Sequence, residues 1–185
     1  MPAAPNVFGL RIALMEHRPE IWRRVLVPGS IRLDKLHMVI QETMGWTDSH
    51  LHQFRVGAAT YGVPLEDWED DEQPESESEY TLRGVVELGD RFFYDYDFGD
   101  SWDHEILVEQ VGTIRPVLKF AVCTDGVNAC PPEDCGGTSG YAELLEALKN
   151  PRHEEHEEYR TWAGTDFDPA RFDLAQVNAA LQRLR

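Results

Sequence analysis

The sequence predicts an α+β fold in which a mostly antiparallel sheet packs against helices, with more helices at the C-terminal end. Two patterns predict this class. Apolar residues alternate at every second position near the N-terminus, and helical patterns mostly follow the strand patterns along the chain. The chain has 185 residues, 42% of them hydrophobic and 28% charged, which is typical of one globular domain. We therefore expect residues 1–185 to form a single domain.

The first strands and the first helix follow from simple periodicities. A first strand is indicated by four apolar residues at alternate positions, namely Phe8, Leu10, Ile12 and Leu14. A second strand is predicted from Ile21 to Val27. From Leu33 to Met44 the apolar residues step by three and four, which predicts an amphipathic helix that lies on the sheet and ends at Gly45.

The rest of the chain predicts a hairpin and the closing helices. Strands are expected at residues 51–56, 91–98, 102–108 and near 116–122, and a Gly-Asp-Ser turn at 99–101 joins the second of these to the third. A loop rich in glycine and proline is expected at 124–140, before helices at 141–149, 153–162 and about 169–184.

The charge of the chain is acidic and unevenly distributed. There are 17 Lys and Arg residues against 34 Asp and Glu residues, a formal net charge of −17, which disfavours general binding to nucleic acid or to anionic lipid. Nine carboxylates fall in residues 66–79 with no basic residue among them, which predicts an acidic, solvated surface loop. No secretion signal or membrane-spanning stretch is apparent, so we expect a soluble, cytoplasmic protein.

The richest candidate site lies on the predicted hairpin. Asp97 precedes the turn, Asp100 lies in it, and Trp102 and His104 share one face of the strand that follows. A histidine paired with a carboxylate can act as a general base or as a metal ligand. The alternative is structural: Asp100 caps the turn through backbone N–H groups, and His104 is hydrogen-bonded within the fold.

A second candidate is the Cys-Pro-Pro-Glu-Asp-Cys-Gly-Gly segment that begins at Cys130, in which the prolines stiffen the backbone and the glycines permit close approach. Glu133 and Asp134 can hold a divalent cation such as Mg²⁺ there, or accept hydrogen bonds from backbone amides. Cys130 and Cys135 have a spacing at the wide end of the zinc-knuckle range, and His104 is a candidate third zinc ligand. The alternative is a structural loop with free thiols.

Two further pairs of residues have both a functional and a structural interpretation. His50 and His52 are two positions apart, so a strand would place both imidazoles on one side, where they chelate a metal or simply pack. Trp22 and Arg24 lie in the only net-basic region, and an arginine beside an aromatic residue can contact nucleic acid. The alternative pairs Arg24 with the protein's own carboxylates.

Several of these motifs occur together in a characteristic order. The set comprises Ile21-Trp22-Arg23-Arg24-Val25, Gly45-Trp46, His50-Leu51-His52-Gln53-Phe54, the stretch from Tyr94 to His104, Pro131-Pro132-Glu133-Asp134-Cys135-Gly136-Gly137 and Phe167-Asp168-Pro169. In this combination the chain resembles the plasmid pRiA ORF-three-like family, whose members are also labelled passenger TnpR proteins of insertion elements. The resemblance implies a prokaryotic α+β domain with an accessory role on plasmids or mobile elements, and it supplies no reaction.

These observations support three hypotheses about function. The first is a binding module in which the hairpin and the Glu133-Asp134 loop, below called the acidic loop, form an acidic-aromatic groove with Trp102 in its wall. The groove would bind a protein, a peptide or a small polar ligand. The second is a metal-dependent hydrolase or nuclease-like enzyme with zinc or magnesium, using Asp97, Asp100, His104, Glu133 and Asp134. The third is a DNA-associated accessory protein of transposition. The first two require the hairpin and the acidic loop to meet.

Overall fold

The sheet runs continuously through eight strands, in an order that differs from their order along the chain. The computed structural model describes residues 4–64 and 73–184. Its strands are β1 (Val7–Leu14), β2 (Trp22–Pro28), β3 (His52–Val56), β4 (Ala59–Gly62), β5 (Glu75–Ser76), β6 (Arg91–Tyr96), β7 (Trp102–Gly112) and β8 (Val122–Val127). Their spatial order is β5-β4-β3-β6-β7-β1-β2-β8, and only β4 and β5 are parallel neighbours. The predicted mostly antiparallel α+β class is confirmed.

The helices are α1 (Leu33–Met44), α2 (Leu82–Val85), α3 (Gly137–Lys149), α4 (His156–Ala163) and α5 (Leu174–Leu181). Helix α1 has the predicted bounds. It ends where Gly45 adopts a left-handed conformation, at φ 98°, and donates its N–H to the carbonyl of Gln41. No helix in the described ranges has the length and apolar character that crossing a bilayer requires.

Helix α1 contributes one apolar face to the core. Leu36 and Ile40 are four residues apart on that face, and both are fully buried in the same cluster as Ile12 of β1 and Val25 of β2. Each such side chain stabilises the fold by about 1.5–3 kcal/mol relative to its exposed state. The helix is therefore fixed against the sheet, and the chain that follows Gly45 leaves it at a defined place.

The central hairpin positions the candidate site. Strand β6 pairs with β7 on one side and with β3 on the other. The chain just before β3 therefore runs beside the hairpin turn, where the N–H of Asp97 donates to the carbonyl of Leu51 at 2.9 Å. Residues immediately before His52 and residues in the turn thus occupy the same end of the sheet.

Two predicted elements differ most from their predicted bounds. The strand expected near 116–122 is instead β8, at Val122–Val127, which extends into the predicted loop at 124–140. Its Thr-Asp-Gly sequence is typical of a turn, but backbone pairing with β2 makes it an edge strand. The last helix covers only Leu174–Leu181, because Asp173 caps it by accepting a 2.9 Å hydrogen bond from the N–H of Gln176.

The acidic segment predicted as a solvated loop at 66–79 differs in its described part. Residues 66–72 lie outside the described residues. Strand β5 pairs with β4, and the 3-10 turn Glu77–Glu79 follows it. The Glu77 side chain is buried, with Oε2 2.9 Å from Nε2 of His52. A buried carboxylate needs such a partner, and a charge count along the sequence cannot reveal one.

Candidate functional site

Three segments of the chain meet at the turn of the β6–β7 hairpin. On the turn, Asp100 Oδ2 accepts a 3.0 Å hydrogen bond from the N–H of Gly136. Glu133 Oε1 accepts hydrogen bonds from the N–H of Thr47, at 2.8 Å, and from the hydroxyl of Tyr96, at 3.0 Å. The hairpin and the acidic loop are therefore in contact, as the first two hypotheses require, and the segment between α1 and β3 joins them.

The turn holds Asp97 in one orientation. The residue has a positive φ of 55°, and its Oδ1 accepts hydrogen bonds from the N–H groups of Gly99, at 3.0 Å, and Asp100, at 3.3 Å. This is the turn chemistry expected of an aspartate before glycine. The other carboxylate oxygen, Oδ2, points toward His50. One oxygen of Asp97 thus maintains the turn, and the other faces the cluster.

His50 stands at the centre of a group of carboxylates. Its Nε2 lies 3.0 Å from Asp134 Oδ1, 3.6 Å from Asp97 Oδ2 and 3.9 Å from Glu133 Oε2. This nitrogen is buried, and none of the contacts has hydrogen-bond geometry within the described part of the chain. Ligand atoms of His50, Asp97 and Asp134 all lie within 4.8 Å of one another. That arrangement suits a single divalent cation.

A fixed polar frame surrounds this cluster. The hydroxyl of Tyr96 accepts from the N–H of Ser49 at 3.0 Å and donates to Glu133. Burial raises the pKa of Tyr96, and the bond to the Glu133 carboxylate adds to the rise. Tyr96 therefore remains a hydrogen-bond donor at physiological pH and holds Glu133 beside His50.

The second histidine of the predicted chelating pair belongs to a different group. The rings of His52 and His37 are stacked, with centroids 3.5 Å apart. His37 Nε2 lies 2.8 Å from Asp48 Oδ1, and His37 Nδ1 lies 2.7 Å from the hydroxyl of Tyr94. Ligand atoms of His37, Asp48 and His52 also lie within 4.8 Å of one another. Unlike His50 Nε2, however, both nitrogens of His37 and the Nε2 of His52 already have hydrogen-bond partners. Burial, and then the charge of His52, lower the pKa of His37, which favours its neutral form.

Trp102 and His104 do not line a groove. They do share one face of β7, as the sequence indicates, but that face is the core, where Trp102 is 2% exposed and His104 is fully buried. His104 Nδ1 lies 3.2 Å from the carbonyl oxygen of Tyr94, and burial lowers the pKa of His104 to about 4. The expected places of Trp102 in a groove wall and of His104 at a surface site are therefore corrected, since neither side chain reaches solvent.

Within the described residues, Cys130, Cys135 and His104 do not converge as zinc ligands. Cys130 and Cys135 are free, and among the described residues neither joins a group of three converging metal ligands with His104. Burial raises the pKa of Cys130, and burial raises that of Cys135 to about 12, where neighbouring acidic groups add to the effect. The structural interpretation of the two cysteines fits this geometry, because no set of zinc ligands converges on them in the described part of the chain.

Trp22 and Arg24 lie on β2, three strands away from β6. Arg24 Nε is 2.6 Å from Glu109 Oε2, Arg24 Nη1 is 3.5 Å from Asp125 Oδ2, and the guanidinium lies 5.2 Å from the Trp22 ring centroid. The arginine is paired with the protein's own carboxylates. It is therefore neither part of the site at the hairpin turn nor a free cation for DNA.

His50 has a larger role in the structure than the sequence indicates. The sequence pattern places His50 with His52 on one strand, but β3 begins only at His52. Strand alternation therefore does not extend to His50. No local signal in the sequence marks His50, because the carboxylates that it faces lie far along the chain.

The fold and this cluster define an α+β protein with an acidic, histidine-centred site at the turn of its central hairpin. The chain belongs to the plasmid pRiA4b ORF-3-like family, whose model matches residues 6–176. It is similar to the uncharacterized protein y4hQ of Sinorhizobium fredii (strain NBRC 101917 / NGR234), with 41% identity over 185 residues, 97% of this chain and 92% of that protein. It is also similar to the crystal structure of MM3350, a protein of unknown function from Methanosarcina mazei Go1. That match has a TM-score of 0.83 and 36% identity and covers 94% of this chain and 98% of the other.

Proposed function

We propose that this protein binds a divalent cation, and that His50, Asp97 and Asp134 are the ligands. The observation that carries the proposal is the buried Nε2 of His50, which makes no hydrogen bond to any described residue and faces carboxylate oxygens at 3.0 and 3.6 Å. A cation between these atoms would satisfy the nitrogen and both carboxylates at once.

The charge around His50 supports the same conclusion. Asp97, Glu133 and Asp134 each have a carboxylate oxygen within 4.0 Å of His50 Nε2, and no lysine or arginine of the described ranges lies within 4.0 Å of their carboxylate oxygens. Carboxylates gathered without a cation repel one another, and a divalent ion offsets that repulsion. The net charge of −17 adds a general attraction for cations.

The donor set favours a transition metal. One imidazole nitrogen with carboxylate oxygens suits Zn²⁺ or Mn²⁺ better than Mg²⁺ or Ca²⁺, which prefer oxygen ligands alone. Three protein ligands leave coordination positions for water or for an anionic ligand. The side chain of Asp134 is 71% exposed, so the site opens toward solvent on its side.

Metal-dependent hydrolysis is a second candidate, favoured by the position of Glu133. A bound divalent cation lowers the pKa of water and so supplies a nucleophile near neutral pH. Glu133 Oε2 lies 3.9 Å from His50 Nε2 and 3.3 Å from the Tyr96 hydroxyl, and Oε1 accepts hydrogen bonds from Thr47 and Tyr96. Its carboxylate is therefore placed to accept a proton beside the cluster. His104, included in the original hypothesis, has no part here because it is buried in the core.

Calorimetric titration of EDTA-treated, untagged protein with Zn²⁺ and with Mn²⁺ tests cation binding. We expect one ion per chain, with affinity lowered by at least about tenfold, or about 1.4 kcal/mol, in His50→Gln and Asp134→Asn. Asp125→Asn is the matched control, because Asp125 is also an exposed acid, with its side chain 56% exposed, but lies on β8. Equal affinity in His50→Gln and the wild type, or no saturable binding of either ion, would refute the proposal.

Hydrolysis is tested separately with the metal-loaded protein and bis(4-nitrophenyl) phosphate. The hydrolytic candidate predicts turnover that is lost in Glu133→Gln while the ion remains bound. An ion-loaded wild type without turnover removes this candidate and leaves cation binding intact.

A further inference from the structure

A second site lies between the C-terminal end of α1 and the N-terminal part of α5. It is a cleft of about 470 Å³ whose lining includes Thr43 and Trp46 at the end of α1, and Phe172 and Gln176 near the start of α5. This volume suits a small molecule. No residue of the His50 cluster lines the cleft, so it is independent of the proposed cation site.

A buried arginine lies in the wall of this cleft. Arg23 is 2% exposed. Its Nε donates to the carbonyl of Thr43 at 2.7 Å, and its Nη1 donates to the carbonyls of Trp22, at 2.8 Å, and Val127, at 2.9 Å. These bonds fix the guanidinium between α1, β2 and β8. They use only Nε and Nη1, and Nη2 donates to no residue in the ranges 4–64 and 73–184.

Within the ranges that the structure describes, the charge of Arg23 has no carboxylate counter-charge. No carboxylate oxygen of the described residues lies within 4.0 Å of its guanidinium nitrogens, although the guanidinium is almost completely removed from water. Buried charges in proteins are normally paired, because an isolated one is costly. Burial accordingly lowers the pKa of Arg23, and among the described residues the thiols of Cys130 and Cys123 oppose the shift. The group nevertheless stays protonated at physiological pH.

The packing around Arg23 holds its guanidinium in place. The Phe172 ring covers the guanidinium at 4.4 Å from its centroid. Gly126 makes room for that ring, because a Cβ there would lie 2.6 Å from Phe172 Cζ and 3.0 Å from Arg23 Cδ. One face of the guanidinium is therefore packed on an aromatic ring, and its Nη2 edge is left for a ligand.

The acidic residues that line the cleft do not form an ion pair with Arg23. Asp173 caps α5 and lies 3.5 Å from Arg171, and Asp168 accepts a 2.9 Å hydrogen bond from the N–H of Ala170. Glu42 and Asp166 complete the acidic lining, and Arg183 adds another cation. None of the four carboxylates is within ion-pair distance of Arg23.

We propose that this cleft binds a small anionic molecule through a carboxylate or phosphate group that accepts hydrogen bonds from Arg23. An anionic oxygen at Nη2 would supply the counter-charge and use the free donors of a guanidinium whose geometry is already fixed. Arg23 is then the charged anchor of the site, and Phe172 and Gln176 form its walls.

Calorimetry with inorganic phosphate and, separately, with succinate tests the proposal on EDTA-treated wild-type protein, since EDTA excludes an effect of the cation site. We expect one of the two anions to bind saturably at one per chain. Arg23→Lys should weaken that binding, because lysine lacks the planar fork.

Because Arg23→Lys can disturb folding, a second variant is used to test anion binding. Gln176→Glu places a negative charge in the cleft at an exposed helix position and should weaken binding at least about tenfold, whereas Ala179→Glu adds the same charge to α5 outside the cleft and should leave binding unchanged. The proposal is overturned if neither anion binds at millimolar concentration, or if Gln176→Glu binds as tightly as Ala179→Glu. His50→Gln should bind the anion normally, which separates this result from the fate of the cation site.

Discussion

Asp100 on the hairpin turn and Gly136 at the start of α3 are joined by a 3.0 Å hydrogen bond from the Gly136 N–H to Asp100 Oδ2. Next to it, the backbone of Gly137 approaches Asp100 so closely that a Cβ would lie 2.7 Å from the Asp100 carbonyl oxygen. This contact brings the acidic loop against the hairpin. Glu133 and Asp134 therefore reach His50 because a glycine permits the approach.

Gly137→Ala should consequently destabilise the fold more than Gly45→Ala does. Both glycines have positive φ, +67° and +98°, so each substitution carries the left-handed strain of about 1–2 kcal/mol. Only Gly137 adds a backbone collision, since nothing lies within 4 Å of a Cβ at Gly45. Urea unfolding of both variants measures the difference. Equal losses would mean that the loop does not need this close contact.

Stability should fall between neutral pH and pH 5 partly because of His104. Burial lowers the pKa of His104 to about 4, below the unfolded value of about 6.5. The unfolded chain therefore binds a proton that the folded chain excludes, and stability is lost as pH falls through this window. His104 alone should account for roughly 2 kcal/mol of the loss at pH 5.

Urea unfolding at pH 7 and pH 5 tests this effect in the wild type and in His104→Phe, which cannot titrate at that position. The loss on acidification should be smaller in the variant. Other buried histidines titrate equally in both proteins, so they cancel in the comparison. A loss of the same size in both would show that His104 is not held neutral.

Substitution of His52 should not affect the affinity for Zn²⁺ or Mn²⁺. Ligand atoms of His37, Asp48 and His52 also converge, but His52 Nε2 is hydrogen-bonded to Glu77 at 2.9 Å and His37 Nε2 to Asp48 at 2.8 Å, whereas His50 Nε2 has no hydrogen-bond partner in the described ranges. In calorimetry, His52→Gln should match the wild type while His50→Gln loses affinity. If His52→Gln lost affinity and His50→Gln matched the wild type, the cation would bind at the stacked pair of histidines instead.

The three cysteines should react slowly with iodoacetamide at pH 8 in the folded protein. Burial raises the pKa of Cys123, Cys130 and Cys135, so little of the reactive thiolate forms. Mass spectrometry should show all three modified rapidly once urea unfolds the chain. Rapid modification of Cys130 in the native protein would contradict its burial.

Much of the fold could be predicted from local patterns. Helix α1 matches residue for residue, because its apolar spacing and Gly45 both act locally. Strand β8 was expected too early in the chain, near 116–122, because its Thr-Asp-Gly sequence favours a turn and only pairing with β2 across the sheet makes it a strand. Whether such a segment forms a strand depends on pairing with a distant segment, and a short window of sequence does not contain that information.

The candidate site was predicted only in outline. Alternation placed Trp102 and His104 on one face, but the same pattern fits a groove and a core, and burial makes that face the core. Asp97 and the Glu133-Asp134 pair were identified because turn and loop chemistry is visible in sequence. His50 was identified only as half of a chelating pair with His52, since its role depends on where β3 begins relative to the hairpin turn.

The most direct measurement is a crystal structure of the protein grown with Zn²⁺ and recorded at the zinc absorption edge. Our account predicts one strong anomalous peak about 2.0–2.1 Å from His50 Nε2, in contact with Asp97 and Asp134. A peak at Cys130 or Cys135, or a protein with full zinc content and no peak beside His50, would contradict it.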